Sequence, residues 1–152
     1  ALGYEIGTSL VEEDRVEYAK EMMAKAEAKG VKFLLPIDNA VADKFADVEP
    51  VITEGANIPE GFMGLDIGPK TIELYVNTVN ESKTIVWNGP VGMFEEEKYS
   101  NGTKGLCEIL KSIDAIKIAG GGDTASAIKQ FNYEEVFGIV RRNVRCFGFH
   151  KL

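Results

Sequence analysis

Apolar positions along the chain follow two rhythms, one of period 3.6 and one of short continuous runs, and they alternate. In SLVEEDRVEYAKEMMAKAEAKG, residues Val16, Ala19, Met22, Met23 and Ala26 recur at helical spacing, and Gly30 supplies a stop. Ser9 stands three residues before Glu12, the spacing of a capping box, which puts the helix start there. The run VKFLLP follows at once and reads as a short buried strand, so that helix and strand make half of a βαβ unit. PVITEGANIPEGFMGLDIGPK reads as a strand, a loop and a second short apolar run. Pro69 then opens a helix with Ile72, Tyr75, Val76 and Val79 on one face. KTIVWNG is the next strand. SNGTKGLCEILKS is a helix burying Leu106, Ile109, Leu110 and Ile113, although Gly102 and Gly105 lower its propensity. AIKIAGGGDTASAIKQF gives a strand, a glycine-rich turn and a further helix.

Strand and helix alternate without tight hairpins. That predicts an α/β fold of three layers, a mainly parallel, open, Rossmann-like sheet with helices on both faces. With 152 residues and 45% hydrophobic content the chain makes one ordinary domain. The net charge of −7 gives the wrong field for a nucleic acid or an anionic membrane, but leaves room for a nucleotide bound by backbone N–H groups or a metal. Cys107 and Cys146 lack Cys-x-x-Cys spacing and have only His150 as companion, which speaks against zinc and against Cys/His chemistry. No disulfide framework, membrane span or signal sequence is evident, and the expected compartment is the cytoplasm. The opening ALGYEIGTS, without a Met, reads like a segment entered midway.

Ligands of open parallel sheets bind beyond the carboxyl ends of the strands, which singles out three turns. In AGGGDT, Gly120, Gly121 and Gly122 let a phosphate approach backbone donors, the following helix adds its dipole, and Thr124 adds a hydroxyl. Asp123 suits that turn if Mg²⁺ lies between carboxylate and phosphate; equally, it could be a simple N-cap. Neither a Walker A loop nor Gly-x-Gly-x-x-Gly is present. In WNGPVGMFE, Val91, Met93 and Phe94 could wall a slot for a flat ring, with Glu95 accepting ribose hydroxyls. They could as well be core, and Glu95 a surface acid beside Glu96 and Glu97. In GFMGLDIGP, Gly64 and Leu65 could edge an adenine or simply belong to a strand.

Taken together, in this order, GLDIGP, TIVWNGPVGMFE and GGGDTASA resemble the nucleotide-binding half of phosphoglycerate kinases. The likeness runs from the first residue to Phe137 and includes LVEEDRVEYAKEMMAKAEAKGVKFLLPID. It implies Mg²⁺-dependent phosphoryl transfer between 1,3-bisphosphoglycerate and ADP, giving 3-phosphoglycerate and ATP in glycolysis. It also implies two domains across a cleft, with this chain part of the C-terminal, nucleotide-binding one. By resemblance, Gly64 and Leu65 line the adenine slot, Asn88 and Pro90 shape the loop near sugar and phosphates, and Glu95 takes the ribose hydroxyls. Gly121, Gly122, Asp123 and Thr124 cradle the phosphates, with Asp123 toward the metal.

Departures from the family shape further expectations. The N-terminal domain, with the 3-phosphoglycerate site and the arginine aimed at the transferring group, is absent, as is a Gly-Ala-Lys turn at the start of the nucleotide domain. A Gly-Gly-Gly turn survives only as ALGYEIG. No catalytic residue is therefore assigned to this chain, which by itself is expected to lack turnover and to self-associate through exposed sheet edges. A non-catalytic nucleotide- or partner-binding module is the alternative. After Phe137 the family reads His-Val-Ser-Thr-Gly-Gly-Gly-Ala-Ser, whereas residues 138–152 read GIVRRNVRCFGFHKL. Two readings of this tail compete: a basic phosphate grip by Arg141, Arg142 and Arg145, or an out-of-frame origin, which is preferred. The expected division is thus residues 1–137 as a partial nucleotide-binding domain and 138–152 as an anomalous tail.

Overall fold

Glycine-punctuated apolar runs in the second half of the chain form the repeating part of the fold. In the computed structural model, which describes residues 1–141, strands β4 (Thr84–Asn88), β5 (Ile116–Gly120) and β6 (Ile139–Arg141) lie parallel in that order. The labels β1 to β3 belong to the strands earlier in the chain. Trp87 pairs with Ala119, Asn88 with Gly120, and Gly120 with Arg141, so the three strands end level with one another. Helix α3 (Asn101–Ser112) connects β4 to β5, and α4 (Gly122–Gln130) connects β5 to β6. Their apolar faces and the inner face of the sheet make one core of Trp87, Cys107, Leu110, Ala119, Ile128, Tyr133 and Phe137. Asn132, at φ +60°, closes α4, and the Tyr133 N–H reaches back to the Ile128 carbonyl.

The first half is built differently. β1 (Asn39–Ala42) lies between β2 (Val51–Ile52) and β3 (Met63–Ile67), antiparallel to both. The α/β class with a parallel sheet thus holds, and an antiparallel sheet stands beside it. β1 escaped the sequence reading because NAVA is short and begins with the polar Asn39, whose side chain donates to the Ala56 carbonyl. Helix α2 (Pro69–Asn80) follows β3 and starts at Pro69, as its sequence predicts. It packs on α3, which also reaches β3, so the two helices bridge the sheets.

Three expectations are corrected. Helix α1 (Val16–Ala28) starts after a 3-10 turn, Glu13–Arg15, and no capping box forms at Ser9. The Ser9 hydroxyl instead accepts the Gly64 N–H at 3.0 Å, a long-range partner that outcompetes the local one. The α1 face itself is as expected: Val16, Ala19, Met22, Met23 and Ala26 are its half-buried residues, and Gly30 at φ +65° ends it. VKFLLP, second, forms no strand, and Val31, Phe33 and Leu35 are exposed. Apolar character favours a strand only where a neighbour completes the ladder, and none of the described residues does so here. Third, the described residues do not cover both faces of the parallel sheet, since Val86 is 59% and Ile116 64% exposed. No helix among the described residues is long and apolar enough to cross a membrane. Arg142, Arg145, Cys146 and His150 lie outside the described residues, and of Arg141 the backbone alone is described.

Candidate functional site

The level carboxyl ends of β4 and β5 bring two of the three glycine-bearing turns together. Gly121, just past β5, has φ +96°, a conformation that side chains disfavour, and a Cβ there would lie 2.8 Å from the Asn88 Oδ1. Glycine is therefore required by both backbone and space. Helix α4 starts at Gly122, with Asp123 half-buried in its first turn. Thr124 is 1% exposed, and its Oγ1 accepts the Gly89 N–H at 2.7 Å. Asn88, Gly121, Gly122, Asp123 and Thr124 thus converge on one edge. The Trp87 indole N–H donates to the Gly89 carbonyl at 2.8 Å while its ring packs against Phe137 at 5.7 Å. The single Trp of the chain is an anchor that ties the loop to the core.

Beyond the half-buried Pro90, the loop is held from behind. The Val91 N–H donates to the Thr103 Oγ1 at 2.9 Å, and that hydroxyl donates to the Val91 carbonyl at 2.6 Å. Gly92, at φ +69°, has no space for a Cβ, which would lie 2.3 Å from the Asp66 Oδ1. The Met93 N–H donates to the Leu65 carbonyl at 2.8 Å, and the Phe94 carbonyl accepts from the Gln130 Nε2 at 3.0 Å. Phe94 is buried and serves the core, whereas Val91 and Met93 are half-buried, so only these two of the three apolar loop residues keep open surface. Glu95 is exposed on the adjoining turn. Leu65 meets the loop through its carbonyl, its side chain being core together with Ala42 and Tyr99. Gly64 faces Ile58 and Ser9 instead, with the Ile58 Cδ1 2.9 Å from where its Cβ would be.

Two buried carboxylates, unremarked in the sequence reading, hold the frame of this site. Asp66 is 6% exposed; its oxygens accept the N–H groups of Ile67 and Gly102, both at 2.8 Å, and that of Asn101. Burial pushes its pKa up to about 6 against the pull of those three donors. Asp38, fully buried, accepts the N–H groups of Thr71 at 2.8 Å and Lys70 at 3.0 Å and the Thr71 hydroxyl at 2.6 Å. Burial opposes its ionisation, but the Thr71 hydroxyl and these N–H groups hold its pKa below the ordinary carboxylate value. Asp66 stands in GLDIGP and Gly102 and Thr103 in NGTKG. Nothing in local spacing signals the contact of Asp66 with Gly102, 36 residues away. The buried Cys107 thiol, its pKa raised by burial to about 12, is no nucleophile. A shallow apolar cavity of about 370 Å³ is lined by Leu2, Met23, Glu27, Val31, Phe33 and Leu35, remote in composition from the polar edge just described.

A sequence model described as "Phosphoglycerate kinase" matches residues 1–142. The phosphoglycerate kinase of Clostridium beijerinckii is 61% identical over 128 residues, covering 84% of this chain and 33% of that relative. That of Clostridium novyi is 59% identical over 134 residues, covering 88% of this chain and 34% of the relative. The structure of phosphoglycerate kinase from Coxiella burnetii superposes with a TM-score of 0.87 at 36% identity, over 91% of this chain and 36% of that one. For phosphoglycerate kinase from Pyrococcus horikoshii the TM-score is 0.70 at 25% identity, over 86% of this chain and 31% of that one. The chain spans about one third of the length of these relatives. With its strand-end glycine turns, its Trp-Asn-Gly-Pro loop and this likeness over most of its length, the chain belongs to the phosphoglycerate kinase family.

Proposed function

We propose that this chain forms part of the nucleotide side of a Mg²⁺-dependent phosphoryl transfer between 1,3-bisphosphoglycerate and ADP, giving 3-phosphoglycerate and ATP. The observation that carries this reading is the meeting of Asn88, Gly121 and Thr124 at the carboxyl edge of the parallel sheet. The open side of Gly122 leaves the first N–H groups of α4 approachable, and the helix dipole favours an anion there. Thr124 holds Gly89 and so sets the height of the loop above that helix start. Pro90 and Asn88 shape the wall beside sugar and phosphates, the exposed Glu95 receives the ribose hydroxyls, and the backbone at Gly64 and Leu65 borders the adenine. Among the described residues no three His, Cys, Asp or Glu side chains cluster tightly enough to hold a metal alone. Asp123, a half-buried hard-oxygen donor in the first turn of α4, suits Mg²⁺, which would be completed by phosphate oxygens and water. Bound there, the ion would neutralise charge on the phosphates. The rest is positioning, the main source of catalysis in phosphoryl transfer.

Calorimetric titration of the chain with Mg-ADP, beside Asp123→Ala, tests this. Binding by the wild type, weakened about tenfold in the variant, is the expected result for loss of one metal-bridged, charge-assisted contact. Equal affinity in the two, or no binding by the wild type, would refute it. The acceptor substrate belongs to the portion of the relatives that this chain does not span, so a coupled ATP-forming assay of the chain alone is expected to show no turnover.

A further inference from the structure

The loop from Gly89 to Met93 offers its front to a ligand if the nucleotide reading holds, and a separate set of residues fixes its back. Thr103 is fully buried, in the first turn of α3. Its single hydroxyl accepts from the Val91 N–H at 2.9 Å and donates to the Val91 carbonyl at 2.6 Å. Both backbone groups of Val91 are thereby satisfied, as a neighbouring strand would satisfy them, at a place where the loop runs beside a helix. The residues around this contact leave no slack. Gly102 donates to the Asp66 Oδ2, and a Cβ on Gly102 would lie 3.1 Å from the Val91 Cγ1. Gly92 is pressed on the other oxygen of the same carboxylate. Thr124 fixes Gly89, so the two threonines bracket Pro90, one from α4 and one from α3.

We propose that Thr103 is a positioning residue: its hydroxyl, acting through Val91, pins the far end of the loop whose near end Thr124 holds, and so keeps the Asn88–Pro90 wall in place above the start of α4. The proposal rests on the nucleotide reading for its functional consequence and on the Val91 contact for its structural one. It touches no substrate atom itself.

Thr103→Val keeps the shape and removes both hydrogen bonds; Thr103→Ser keeps the hydroxyl and removes the methyl. Thr78→Val is the control, because the Thr78 hydroxyl also donates to a carbonyl, that of Leu74, inside α2. Amide exchange and Mg-ADP titration are measured on the whole chain for each. In Thr103→Val, exchange at Val91 and Gly92 is expected to accelerate about tenfold and affinity to fall about tenfold, the scale of one or two lost hydrogen bonds. Thr103→Ser should restore both, and Thr78→Val should change neither. Unchanged exchange in Thr103→Val, a faster-exchanging loop with wild-type affinity, or failure of Ser to restore the loop would each overturn the proposal. Should Thr103→Val not fold, the Ser variant decides: wild-type exchange at Val91 supports the hydroxyl role and faster exchange refutes it. Absence of Mg-ADP binding in the wild type would sink the nucleotide reading, while the exchange comparison still judges whether Thr103 holds the loop.

Discussion

The starts of α2 and α3 differ from the start of α4. At α2 the Asp38 carboxylate accepts the N–H groups of Lys70 and Thr71, and a Cβ on Gly68 would lie 2.3 Å from its Cγ. At α3 the Asp66 carboxylate accepts the Gly102 N–H in the same manner. Each is a buried anion supplied by the protein to the positive end of a helix. Helix α4 opens on Gly121 and Gly122, and Thr124, the fully buried polar side chain of its first turn, accepts from Gly89. An internal carboxylate makes a helix start a structural joint, closed to ligands. In the proposed reading, the open side of Gly122 leaves room for a phosphate from outside at the third start, which carries its own acid, Asp123, in the first turn. The same physics, an anion at a helix N-terminus, thus has a structural use twice and a proposed binding use once.

The most forceful way to break this contrast is Asp38→Ala. It strands the buried Thr71 N–H and unpairs the Lys70 N–H, while the Thr71 hydroxyl keeps the Asp38 backbone carbonyl, and should still cost about 3 kcal/mol. Urea unfolding monitored at Trp87 would measure it, and a loss below about 1 kcal/mol would show that Asp38 is no joint.

Asp66 sharpens the contrast through pH. Its folded pKa, about 6, lies above the ordinary 3.8, so the folded state binds the proton more tightly than the unfolded one. Its stabilising contribution is complete below pH ~3.8 and is lost as pH rises through ~6, a fall of about 3 kcal/mol across that window. Asp66→Asn should flatten this part of the stability profile; an unaltered slope in the variant would place the titration elsewhere.

The smallest effect is expected at α4. Thr124→Val frees the Gly89 N–H at a cost of about 1 kcal/mol, with Mg-ADP affinity falling about fivefold. A loss of stability as large as that of Asp38→Ala would make α4 another structural joint and dissolve the distinction.

How far the sequence reached differs among these parts of the molecule. The strand end, glycine turn and helix start over Gly121, Gly122, Asp123 and Thr124 were readable because they are contiguous, so that glycine freedom and the helix start lie in one short word. Asp66 lies in GLDIGP and Thr103 in NGTKG, yet neither stretch signals their role, because their partners are distant in the chain: Asp66 meets Gly102, 36 residues away. Phe94 was assigned either to a ligand slot or to the core, and Leu65 either to an adenine edge or to a strand. Their side chains are core, while the Leu65 carbonyl joins the loop by accepting the Met93 N–H.

By itself the sequence determined the apolar face of α1, the start of α2 at Pro69, β4 and β5 with their turns, and membership of the family. These depend on local spacing, on residues with special backbone freedom, and on ordered motifs. Only the tertiary structure decided that VKFLLP is no strand, that NAVA is one, that Ser9 serves Gly64, and which carboxylate closes which helix. A period in the sequence says which side of a segment is apolar. Whether that side, or a hydrogen-bonding edge, finds a partner depends on residues brought near by the fold, and their distance along the chain leaves no local trace.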